Sequence, residues 1–69
     1  MKYEANAYHK SPEYIAINAV FTVQENRGNG LFYAKHETYG CSKDYKTPED
    51  AVYSLLSNSG CYAITINKI

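Results

Sequence analysis

The sequence predicts an α+β domain: a single three- to four-stranded, mainly antiparallel sheet packed on one face by one α-helix, in the order β-β-β-α-β. Three observations predict it. Residues 14–24 alternate apolar and polar with a period of two, which is a strand with one buried face. Residues 47–60 carry a capped apolar stripe at helical spacing. With 69 residues, and hydrophobic residues making up 45% of them along the whole length, the chain has material for one core and no second domain. A sheet and a helix that each have one apolar side bury both by facing one another in two layers.

The first strand is KYEANAYH, residues 2–9, with Tyr3, Ala5 and Ala7 on one face and Glu4, Asn6 and Tyr8 on the other. KSPE at 10–13 ends it, because Pro12 has no amide donor and a fixed φ. The strand from Tyr14 to Gln24 places Ile15, Ile17, Ala19, Phe21 and Val23 together and is read as central. ENRGNG at 25–30 supplies the Gly and Asn residues of a hairpin loop. LFYAKHETY at 31–39 is a third strand in which either Phe32, Ala34 and His36 or Leu31, Tyr33 and Tyr39 face inward.

For the helix, Thr47 is the N-cap, Pro48 suits the first turn and Asp50 stands three residues past the cap. Ala51, Val52, Leu55 and Leu56 form its apolar stripe, and Gly60 follows its end. CYAITINKI, residues 61–69, alternates again with Tyr62, Ile64 and Ile66 on one side and is the last strand. The expected core is Ile17, Phe21, Val52, Leu55, Leu56, Ile64 and Ile66.

Seven Lys plus Arg balance seven Asp plus Glu, so the chain lacks the field that draws proteins to phosphate or anionic membranes, and equally the uncompensated carboxylates of a DNA mimic. No segment approaches the ~20 apolar residues of a membrane span, and the N-terminal stretch does not read as a signal peptide. A cytoplasmic location and reduced thiols at Cys41 and Cys61 are therefore expected; a bridge between them becomes the better reading only if the protein is exported.

No catalytic residues, metal or cofactor are expected. His36 and Cys41 could act together only if the chain bends sharply between them, and no pair such as C-x-x-C marks a zinc site. NRGNG joins two strands and does not open a helix, so it is not a phosphate loop. SKDYK at 42–46 is the one local cluster of lysines, and a solvated loop accounts for it.

Tyrosine is the unusual feature: eight of 69 residues, with two Phe and no Trp. A core this small does not absorb eight, and exposed tyrosines give contact area with little rotamer entropy to lose. Tyr8, Tyr14, Tyr45 and Tyr53 are the candidates for binding a partner, with Tyr39 depending on which face of its strand is buried. The partner expected is a larger protein or ribonucleoprotein complex of a bacterial host. A homodimer is compatible with the pattern; direct nucleic-acid binding by an RNA-binding sheet is the least favoured reading, since the rings lack a surrounding basic surface.

From Val20 to Leu56 the chain resembles HicB-like antitoxin domains, in which a hairpin leads to a Gly-Cys pair, here Gly40 and Cys41, and then to a helix start of the form Thr-x-Glu-Asp-Ala, here Thr47, Glu49, Asp50 and Ala51. In size and layout it is also similar to small phage-encoded inhibitors, including anti-CRISPR proteins. The first resemblance implies an antitoxin that holds a toxin ribonuclease. The second implies an inhibitor that occupies a functional surface of a bacterial defence complex.

Overall fold

The computed structural model describes residues 1–10 and 15–69. Along the chain come β1 (Lys2–His9), β2 (Ile15–Asn26), β3 (Leu31–His36), β4 (Gly40–Cys41), α1 (Pro48–Asn58) and β5 (Cys61–Lys68). One sheet holds five strands in the order β4-β3-β2-β1-β5, every neighbouring pair antiparallel. The expected count of three to four strands is thus corrected to five. The additional strand arises because LFYAKHETY does not run straight to Tyr39. It turns at residues 37–39 and returns as β4, with Gly40 at φ +84°, a conformation that costs other residues steric strain.

The helix begins as its residues dictate. The Thr47 hydroxyl accepts the Asp50 amide at 3.1 Å, Pro48 opens the first turn, and Glu49 and Asp50 lie where the helix dipole favours negative charge. Ser59 closes the helix, and Gly60 at φ +79° turns the chain into β5. Because α1 joins β4 at one sheet edge to β5 at the other, it must cross a face of the sheet, and it covers the inner one.

That inner face supplies Tyr3, Ala5 and Ala7 from β1, Phe21 and Val23 from β2, Ala34 from β3 and Cys61 from β5, all buried against Ala51, Val52, Leu55 and Leu56 of the helix. Four of the seven expected core residues, Phe21, Val52, Leu55 and Leu56, are buried; Ile17 and Ile66 pack on the cluster while partly exposed. Ile64 is a correction, being 56% exposed. The register between β1 and β5 shifts there: Ala7 pairs with Ala63 and Asn6 with Thr65, leaving Ile64 as an extra residue. This bulge reverses the alternation, so Cys61, Ala63 and Ile66 point inward while Tyr62 points outward. For β3 the first of the two open readings holds, since Phe32 and Ala34 lie on the core and the His36 ring lies tilted against Phe21 with ring centroids 4.9 Å apart.

β2 does two jobs with its two halves. Ile15–Thr22 pairs with β1, while Thr22–Asn26 pairs with β3. The sheet is therefore staggered, and the molecule is elongated, 40 × 21 × 19 Å.

Candidate protein interface

Among the described residues, no helix or strand lies over the face of the sheet opposite α1. Its composition follows from the register: Tyr8, Asn6 and Glu4 from β1 stand beside Ala16, Asn18 and Val20 from β2 and beside Tyr62, Thr65 and Asn67 from β5. A chain of side-chain hydrogen bonds crosses these three strands. Asn6 Nδ2 donates to Thr65 Oγ1 at 3.0 Å, and Asn18 Nδ2 donates to Asn6 Oδ1 at 2.8 Å and to Glu4 Oε2 at 3.0 Å. The row fixes the centre of the face with polar groups that also meet water.

At one end of this row lies an aromatic pair. Tyr8 and Tyr62 are directly opposite each other on β1 and β5, 40% and 51% exposed, and Lys10 Nζ sits 3.9 Å from the centroid of the Tyr62 ring. Directly opposite residues on one face of an antiparallel pair bring their side chains together. The two tyrosines therefore stand at facing positions on one side of the sheet, and the Tyr62 ring carries one cation.

The five tyrosines expected to bind a partner are not gathered on one surface. Tyr8 is on the open face. Tyr53 is 55% exposed on α1, on the opposite side of the molecule. Tyr14 lies outside the described residues. Tyr39 and Tyr45 are partly buried and pack against the core. The Tyr39 ring stacks on Phe21 with centroids 5.9 Å apart. Tyr45 exchanges two backbone hydrogen bonds of 2.7 Å with Phe32, and its hydroxyl bonds that of Ser54 on α1. Tyr62 was not among the candidates, because strict alternation assigns it to the side of Ile64 and Ile66. No signal in the sequence marks the bulge that moves it outward.

The titratable groups with displaced pKa values are structural. Burial, and after it the Glu49 carboxylate, raises Tyr3; burial, and after it Cys61, raises Tyr39. Burial alone raises the Cys61 thiol and so opposes formation of a thiolate. Cys61 is buried on the inner face and Cys41 exposed on the open one, so the two thiols are free and separated by the sheet. The chain does bend sharply between His36 and Cys41. Yet His36 faces the core, its Nδ1 accepting the Thr38 amide at 3.0 Å, whereas Cys41 pairs with Lys35 on the other face.

SKDYK is tied to the neighbouring hairpin. The Asp44 carboxylate accepts Asn26 Nδ2 at 3.2 Å and Asn29 Nδ2 at 3.0 Å, which puts a negative charge between the two lysines of that segment. Among the described residues there is no group of three or more metal-ligating side chains and no helix long and apolar enough to cross a membrane. No family model, curated protein or solved structure matches the chain.

Proposed function

We propose that this chain is a non-catalytic binding protein that inhibits a larger bacterial protein complex by covering part of its surface with the open face of the sheet. One observation carries the reading: Tyr8 and Tyr62 stand at facing, exposed positions on the sheet face that no helix or strand of the described residues covers. Aromatic side chains that are already held in place by a sheet lose little entropy when a partner desolvates them, and such residues dominate interface energies. The balanced charge means that affinity comes from this desolvated contact more than from electrostatic steering. The size and layout shared with phage-encoded inhibitors direct the search for the target to bacterial defence complexes, and the HicB-like stretch makes a toxin ribonuclease the second class to try.

The test is recovery of a partner from bacterial lysate followed by affinity measurement with variants. Tyr8→Ala and Tyr62→Ala are expected each to weaken binding by about 2 kcal/mol while the melting temperature changes little. Tyr45→Ala serves as the contrasting control, because it loses core packing. Normal binding by both open-face variants would remove the proposal.

A second reading has its own observation, the Lys10 cation on the Tyr62 ring beside Tyr8. Sheets that bind single-stranded RNA stack bases on such rings and place cations near them. The two readings part on salt: RNA binding falls steeply as salt is added, and a tyrosine-centred protein contact does not.

A further inference from the structure

Strand edges invite pairing with other chains, and folded proteins usually blunt them with short length, bulges, charge or proline. Two edges of this sheet are treated that way. β4 is only two residues long, and β5 carries the bulge at Ile64 and ends in Lys68. The third edge is not at the margin of the sheet. It is the side of β2 that faces away from β1 over Ile15–Val20, ahead of the point where β3 begins to pair at Thr22.

The direction of the backbone groups along this stretch follows from one pair. Met1 and Val23 exchange both hydrogen bonds, Val23 N–H to Met1 O at 2.8 Å and the terminal ammonium to Val23 O at 3.0 Å. Bonding alternates along an antiparallel strand, so Phe21, Ala19, Ile17 and Ile15 direct their N–H and C=O groups to β1. Ala16, Asn18 and Val20 direct theirs outward, where no backbone group of the described residues meets them. The stretch IAINAV contains no charge, no proline and no bulge, and it leaves Ile15 55% and Val20 44% exposed.

We propose that two copies of this chain pair through this edge, β2 against β2, antiparallel about a two-fold axis at Ile17. In that register Ala16 and Asn18 of each copy exchange backbone bonds with Asn18 and Ala16 of the other. On the inner face Ile17 meets its own counterpart, and Ile15 meets Ala19, so apolar side chains that are open in one copy cover those of the next. A second copy is the occupant because the segment is complementary to itself in alternation, in backbone direction and in lack of charge. The chain as a whole also has zero formal charge, so no net-charge repulsion opposes the approach. The resulting sheet is continuous across both copies. The inference does not depend on what the Tyr8 and Tyr62 face binds.

Analytical ultracentrifugation over a concentration series tests it, with the whole chain and two variants. Ala16→Pro removes a donor aimed at the second copy and none aimed at β1, and Ile15→Lys places a charge at an exposed inner-face position. Both are expected to keep the far-UV circular dichroism of the native fold and to raise the dimer dissociation constant at least about tenfold. Ile17→Cys in a Cys41→Ser background is expected to form an intermolecular disulfide under mild oxidation, since directly opposed residues of the non-hydrogen-bonded kind lie within disulfide reach. Asn18→Cys in the same background is expected to cross-link far less. The proposal is overturned if the native chain stays monomeric up to roughly 1 mM. A dimer that survives both Ala16→Pro and Ile15→Lys overturns it equally, because the contact would then lie at another edge.

Discussion

The two faces of the sheet are built from the same strands but by different rules. The inner face uses small residues, Ala5, Ala7 and Ala34, as a floor on which Val52, Leu55 and Leu56 of α1 settle beside Phe21 and Val23. Its residues are specified by volume, since each is packed on all sides. The open face uses Asn6, Asn18, Glu4 and Thr65, linked to each other and exposed to water, with Tyr8 and Tyr62 at the end of the row. Its residues hold one another's orientation and contribute little to folding. The difference teaches where the chain is free to carry function: on the surface whose side chains the fold does not require.

The sharpest way to break this comparison is to delete volume from the inner face. Leu56 is fully buried, and Leu56→Ala is expected to cost about 2 to 5 kcal/mol, measured by urea unfolding. In a domain of this length that is a large share of the total stability. Adding volume tests the alanine floor from the other side: Ala5→Leu, at a position 1% exposed, is expected to destabilise by about 1 to 3 kcal/mol through overpacking. A neutral outcome for either would mean that the helix does not sit where the inner face places it.

On the open face the expected effects are smaller. Asn18→Ala removes two side-chain hydrogen bonds in exposed surroundings, and the loss is expected to be about 0.2 to 1 kcal/mol by the same unfolding measurement. A cost equal to that of Leu56→Ala would erase the distinction between the faces.

The smallest effect is confined to alkaline solution and comes from the inner face again. Burial raises the phenol pKa of Tyr3 and Tyr39 above 10.0 in the folded chain. Each holds its proton to higher pH when folded than when unfolded, so the stability it contributes is full below pH 10.0 and is lost as pH rises through the folded value. Thermal melts across this range are expected to show that decline, and Tyr39→Phe is expected to flatten it.

Local signals made most of the fold legible in the sequence. The bounds of β1, the phase of β2 and the cap and stripe of α1 each rest on residues within a few positions of one another, and the structure has them as the pattern implies. What was not legible depends on pairing. β4 exists because two residues after a turn find Lys35 and His36, and the Ile64 bulge exists because β5 must meet both Cys61 against His9 and Lys68 against Tyr3. The same limit applies to the site. The outward direction of Tyr8 is legible from its own alternation, that of Tyr62 is hidden by the bulge, and the contacts of Tyr39 and Tyr45 with Phe21, Phe32 and Ser54 join segments remote in sequence, which no local pattern marks.

The pairing of β1 with β5 has a consequence for how the chain reaches its folded state. Asn6 and Thr65 are joined across a separation of 59 residues, whereas β1 with β2, β2 with β3 and β3 with β4 are joined by short connections. The hairpins can close quickly and at small entropic cost, but the helix has no second wall until β5 docks beside β1. Closing that long loop, which draws the last strand of the sequence against the first, is therefore the step expected to slow folding most.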